Sequence, residues 1–470
     1  MRPYLLILPC LCAATAMGQS PVERYEVGRR THEFEVVWDA KIDNTAARER
    51  AAPIVDKAVQ NFFRLNFSGA AKSLDDARHA LLSVDPAPPA VRWAETINIL
   101  VESRLIDTSA TEIAVIAKQF YKPDGKAPPR VSIRVHLGAA KSVEVPLVTY
   151  PAMVKVPTRD AGPASADLTL TAEIVSDSII LATRTVQISR VEKLTSRLSA
   201  LKKAAAAVPA HATSTEQQTL VHLSKLLNDL ANATIPETDY PAARLVVEAE
   251  ALARAPTPYY TATRSGDFWL SLPTAKTSSV VRVRVPENLD VKKPVPVVVA
   301  LHGMGGSENM YFDGYGNGVI PRQAKEHGWL FVAPRATGLL GAGPAPSVPA
   351  ILDELAKQYP IDPKKVFLVG HSMGAGHAIA LVQQSPERFA AVAALGGGGR
   401  VGKAPGLDGM PFFVGCGKLD FALKGAKSLH QSLDKIGATV TFKEFDNIEH
   451  LTIVRAAADD VFAFFDAIKK

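Results

Sequence analysis

Three residue types in the C-terminal part of this chain could together perform nucleophilic catalysis: a serine, an acid and a histidine. The serine is Ser372, inside Val366-Phe367-Leu368-Val369-Gly370-His371-Ser372-Met373-Gly374. A short apolar run leads into it, and an Ala-rich segment from Ala375 to Gln384 follows. A strand that turns sharply into a helix at G-x-S-x-G lifts the serine Oγ clear of the backbone. Strand and helix then approach so closely that no Cβ fits at the flanking positions, hence Gly370 and Gly374. The free N–H groups at the helix start point to where an oxyanion would form. The pentapeptide alone is a weak signal, met by chance in roughly one chain in ten of this length. The strand before it, the helix after it and the partners downstream raise it above that level.

Such a serine needs a base and an orienting acid, and behind an elbow of this kind they follow in the order serine, acid, histidine. Pro411 to Gly417 reads as a buried strand with Asp420 just past its end, and Ala438 to Phe445 alternates as a strand whose trailing loop ends at His450. Reacting groups of open α/β sheets gather at the carboxyl ends of strands. His450 would take the proton from Ser372, and Asp420 would hold the imidazole tautomer. His371, His377 and His430 read as structural or solvated. Asp446 and Glu449 flank His450 too closely to reach its Nδ1 from a neighbouring strand.

An apolar strand, Pro294 to Leu301, runs into His302-Gly303-Met304-Gly305-Gly306-Ser307. Its glycines let the backbone turn so that the N–H of Met304 faces the serine; the N–H of Met373 is the second oxyanion donor. Tyr311, Phe312 and Tyr315, on the glycine-rich loop that follows, are candidates for a substrate lip or for packing on the sheet edge. No His, Asp, Glu or Cys cluster has ligand spacing, so no metal or other cofactor is expected.

With these residues in place, residues 261–470 resemble the secreted esterases of the feruloyl/acetylxylan-esterase and polyhydroxybutyrate-depolymerase-like group. The resemblance rests on VPVVVALHGMGGS (Val295 to Ser307), YPIDPKKVFLVGHSMG (Tyr359 to Gly374) and the loops of Asp420 and His450. It covers less than half the chain, and Ala375 stands where members commonly carry a second glycine. The resemblance implies an α/β-hydrolase fold and a serine esterase working through an acyl-enzyme, with plant-polysaccharide or polyester-type substrates. Two rivals remain: a prolyl-oligopeptidase-like peptidase, and a catalytically silent protein that binds glycan through its amino-terminal half.

The elements ahead of residue 261 change character twice. Residues 1–18 read as an export signal, with Arg2 before the apolar stretch Tyr4 to Ala16, which is too short to span a bilayer. Of the three cysteines, Cys10 and Cys12 lie in that signal, and Cys416 is expected to be a buried inert thiol. The formal net charge of +6 without a dense basic run gives no reason to invoke nucleic acid, and no membrane span is expected. Residues 19–127 read as helical, with Ser73-Leu74-Asp75-Asp76 as a helix start and Ile97, Ile99, Leu100 and Leu105 on a helical face. Residues 128–190 alternate like a small antiparallel β-sandwich, and 191–260 return to helix as a connector. The fold class expected is α/β, an α/β-hydrolase sheet preceded by a helical region with an inserted β-sandwich-like unit. No motif in residues 20–260 carries chemistry; that half reads as a spacer and folding partner, or as a module that docks on the cleft. No long insertion follows Leu395, so the cleft is expected to lack a large lid and to suit a polymeric or bulky ester.

Overall fold

The computed structural model describes residues 21–468, apart from 235, 255–257, 275–277, 288, 339–342 and 403. The export-signal reading, with Cys10 and Cys12, lies outside the described residues. The chain opens with four helices, α1 (Pro21–Ala40), α2 (Thr45–Phe63), α3 (Phe67–Leu82) and the short α4 (Pro89–Glu95). Asparagines start the middle pair. Asn44 accepts from Ala47 N–H at 3.0 Å and Asn66 from Gly69 N–H at 3.1 Å, satisfying groups that a helix start leaves without partners. The helix expected to begin at Ser73 therefore begins at the Asn66 cap, and Ser73 lies mid-helix and buried.

Strands begin earlier than the helical periodicity suggested. β1 (Ile97–Val101), β2 (Leu105–Asp107) and β3 (Glu112–Gln119) fill a stretch read as helix. Segments this short hold too few turns to separate a period of 3.6 from a period of 2, and β3 alternates buried and half-buried side chains along its length. With β4 (Val131–Leu137), β5 (Val143–Pro146), β6 (Ala152–Pro157), β7 (Ala166–Ser176) and β8 (Ile179–Val191) they build two sheets, ordered β1-β3-β6 and β2-β8-β7-β4-β5. Ile99, Val115 and Val154 of the first sheet share a core with Ile133, Leu170 and Val186 of the second, which is the packing of a sandwich.

Three helices follow, α5 (Leu194–Ala206), α6 (Thr215–Ala231) and α7 (Ala242–Arg254). The C-terminal sheet is then built from β9 (Gly266–Pro273), β10 (Ser278–Val285), β11 (Val295–Leu301), α8 (Val319–Glu326), β12 (Leu330–Pro334), α9 (Val348–Leu355), β13 (Ile361–His371), α10 (Met373–Gln384), β14 (Ala391–Leu395), β15 (Pro411–Gly417), α11 (Leu423–Lys435), β16 (Thr439–Phe445) and α12 (Ile453–Asp466). The eight strands run in the order β16-β15-β14-β13-β11-β12-β10-β9. β10 is antiparallel to both its neighbours, and the remaining pairs are parallel. Parallel strands covered on both faces must be apolar throughout, and β12 and β14 are buried at every position.

Both faces of this sheet are closed partly by the amino-terminal half. Leu223, Leu227, Leu245 and Val246 of α6 and α7 share a core with Leu270, Val297 and Leu368. On the other face Phe34, Trp38, Val55 and Leu74 of α1–α3 share one with Val298, Phe331, Phe367 and Val461. The first helices are thus packed into the sheet that carries the serine. Among the described residues, no helix is long and apolar enough to cross a membrane.

Candidate active site

Strands β11, β13, β15 and β16 run parallel, and the residues expected to react lie just past their carboxyl ends. β13 stops at His371 and α10 starts at Met373, so Ser372 alone makes the turn. Its backbone sits at φ 54° and ψ −116°, a conformation that the surroundings must enforce on any residue with a Cβ. The enforcement is steric. A Cβ on Gly370 would stand 2.2 Å from the Gly374 carbonyl oxygen, and one on Gly374 would stand 1.9 Å from the Leu301 oxygen. Ser372 N–H donates to Leu395 O at 2.9 Å, which ties the turn to β14.

The structure brings Ser372, Asp420 and His450 together. His450 Nε2 lies 2.9 Å from Ser372 Oγ, and His450 Nδ1 lies 2.9 Å from Asp420 Oδ1. A carboxylate only accepts, so the ring proton sits on Nδ1 and Nε2 faces the serine as an acceptor. Asp420 is buried, takes the Ala422 N–H at 2.7 Å on Oδ1 and meets the Cys416 thiol at 3.4 Å on Oδ2. Burial, with the Asp420 charge beside it, pushes that thiol up, so Cys416 stays protonated.

The rival acids and histidines are occupied elsewhere. Asp446 pairs with Lys418 at 2.6 Å. Glu449 is buried and accepts the Leu451 and Thr452 N–H groups, both at 2.8 Å, while burial pushes its carboxyl up to about 7. His430 meets Asp434 at 3.1 Å, and burial holds His377 on α10 below the usual histidine range.

The turn after β11 is held from below. His302 Nε2 accepts the Ala336 N–H at 3.0 Å, which leaves Nδ1–H to donate to Gly303 O at 2.8 Å. A Cβ on Gly303 would stand 3.2 Å from the Ser372 Cβ, so the turn lies directly against the serine. Met304 follows on that turn and lines the same cavity as Ser372 and His450. Met373 is the first residue of α10, where a helix leaves its N–H groups without intrahelical partners.

Of the two readings of the glycine-rich loop, substrate lip or packing on the sheet edge, Tyr311 and Phe312 follow the second. Tyr311 and Phe312 turn inward and pack edge-on against Phe331, at 6.2 and 5.2 Å between ring centroids, and Arg282 lies over the Phe312 face at 4.0 Å. Burying two aromatic rings on the sheet outweighs leaving them in solvent. Tyr315 reaches the cavity, but as a buried relay. Its hydroxyl accepts the Gly303 N–H at 3.1 Å and lies 2.7 Å from His371 Nδ1, while His371 Nε2 lies 2.8 Å from the His450 carbonyl oxygen. A carbonyl cannot donate, so Nε2 carries the proton and the tyrosine donates to Nδ1. Burial and the neighbouring His450 push His371 down to about 3, which keeps it neutral. The chain Gly303, Tyr315, His371, His450 therefore joins the oxyanion turn to the loop of the base.

The other omission lies in the amino-terminal helices. Ser372 opens into a cavity of ≈ 1510 Å³ whose far wall includes Arg24, Phe62 and Phe63. Arg24 donates to Gly305 O at 3.0 Å, and Phe62 fills the space over Gly305, where a Cβ would stand 2.4 Å from its ring. Among the described residues, α1 and α2 wall the site. The only trace in the sequence is the phenylalanine pair ending α2, and nothing local distinguishes it from core.

Residues 296–410 match the family described as alpha/beta hydrolase fold. No curated protein matches this chain. Solved structures similar to it include a ferulic acid esterase (20% identity, 44% of this chain and 100% of that one, TM-score 0.38). Others are an S-formylglutathione hydrolase from Staphylococcus aureus (17%, 43% and 98%, TM-score 0.36) and a ferulic acid esterase from Anaeromyces mucronatus (17%, 44% and 90%, TM-score 0.37). Sheet order, elbow and family match agree: the C-terminal part of this chain has the α/β-hydrolase fold.

Proposed function

We propose that the protein is a serine hydrolase that cleaves carboxylic esters through an acyl-enzyme. The observation that carries this reading is the 2.9 Å approach of His450 Nε2 to Ser372 Oγ, with Asp420 on the far side of the same ring. Ser372 Oγ attacks the ester carbonyl while Nε2 takes its proton. The tetrahedral oxyanion is met by the N–H groups of Met304 and Met373, and Asp420 stabilises the imidazolium. Nε2 then protonates the departing alcohol, and water repeats the sequence in reverse roles to release the acid.

The preferred esters are of the plant-polysaccharide or polyester type, following the motifs that resemble esterases of that group. The large cavity suits a bulky ester. Export through residues 1–18 belongs to the same reading. The test is hydrolysis of p-nitrophenyl esters from acetate to octanoate, with a ferulate ester, by wild type and Ser372→Ala. A loss of about 10⁴-fold or more in kcat is expected for the variant. Equal activity of the two proteins would sink the proposal.

A further inference from the structure

The apolar side chains exposed around Ser372 are not scattered. Phe63, Met304, Leu419 and Phe421 are 42%, 43%, 45% and 60% exposed, and they come from α2, the oxyanion turn and the Asp420 loop. Single exposed apolar residues are ordinary. Phe63 and Met304, however, line the cavity with Ser372 and His450, and Phe421 packs on Phe63 and on the His450 ring. Contiguous apolar surface beside a site calls for an occupant. Two of the four lie together against the base. The Phe421 ring lies 4.2 Å from the His450 ring, centroid to centroid, and Phe63 lies 6.2 Å from it. Phe63 and Phe421 meet edge to face at 5.7 Å, with 87° between their planes.

Phe63 is held in place from two sides. Its neighbour Phe62 is wedged over Gly305, and Glu49, on the same helix, accepts from Asn447 Nδ2 at 2.8 Å in the loop that carries His450. A binding wall fixed in this way costs little ordering when a ligand arrives.

We infer that Phe63 and Phe421 form the leaving-group subsite, selecting esters whose alcohol part presents a flat apolar face the size of a six-membered ring. The argument is chemical and rests on the ester-hydrolase reading above. His450 must hand its proton to the departing oxygen, so the alcohol part lies on the His450 side, while the carbonyl oxygen lies toward Met304 and Met373. The rings beside His450 therefore meet the alcohol and not the acyl group. One wall of the subsite comes from the amino-terminal half, so specificity of the C-terminal site depends on α2.

The test compares benzyl acetate with methyl acetate, whose shared acyl group leaves only the alcohol to differ. The readout is the benzyl-to-methyl ratio of kcat/KM for wild type, Phe63→Ala and Phe421→Ala, with melting temperatures as a folding check. The ratio is expected to favour benzyl in the wild type and to fall about tenfold in each variant. An unchanged ratio in both variants, whether or not absolute rates drop, would overturn the subsite. If wild type and Ser372→Ala act alike on either ester, the hydrolase reading fails first, and that result is distinct from a change in ratio.

Discussion

The two walls of the cavity are built in different ways. The C-terminal wall carries the reacting groups on tight backbone turns at strand ends, each fixed by glycines that exclude a Cβ or by buried hydrogen bonds. The amino-terminal wall carries no reacting group; it offers Arg24, Phe62 and Phe63 from the faces and ends of ordinary helices. Chemistry that needs a particular backbone path leaves a mark in the sequence. A wall that needs only a side chain of the right size at the right place leaves almost none. The difference is one of encoding and not of importance, since both walls share one packed core.

That comparison can be sharpened on each side. Tyr315→Phe removes the hydroxyl that joins Gly303 to His371, leaving a turn N–H and a ring nitrogen without partners. A fall of roughly tenfold in kcat with little change in KM is expected, because Tyr315 positions groups and binds nothing. An unchanged kcat would show that the turn and the base loop hold themselves.

On the other side, α1 buries Glu35, whose Oε2 accepts the Gly316 N–H at 3.1 Å beside that same tyrosine. Burial raises its carboxyl well above the ordinary range, and the Glu449 charge adds to the effect. The folded protein then keeps a proton that the unfolded chain has released, so the linked stability is present at low pH and lost as pH rises. Wild-type stability should decline as pH climbs above the ordinary carboxylate range, and Glu449, pushed up to about 7, adds to the decline. Glu35→Gln, whose amide does not titrate, should flatten that decline. An identical pH slope in the two proteins would show that this face is not coupled to the site.

How much of this was legible depends on what each segment demands of its backbone. Gly370 and Gly374 announced the elbow because nothing larger fits there. Asp420 and His450 were legible because each lies one short loop past a strand end, in the order serine, acid, histidine that such an elbow needs. Strands β11 through β16 were legible as apolar runs or alternations. The loop of Tyr311, Phe312 and Tyr315 left two readings open because glycines around aromatics fit a surface lip as well as a packed turn, and the rings fold back onto Phe331 and His371. Ile97 to Val101 misled because five residues fit either period. Phe63 was invisible as a site residue: its role depends on where α2 docks, which is a property of the whole core.

The central claim is that Ser372, activated by His450, is the atom that receives the acyl group. The most direct measurement is the mass of the intact protein, with peptide mapping, after reaction with a fluorophosphonate ester that traps activated serines. The expected result is a single adduct on Ser372 in the wild type and none at equal times in His450→Ala. An adduct on another residue, or labelling of Ser372 that does not depend on His450, would contradict it.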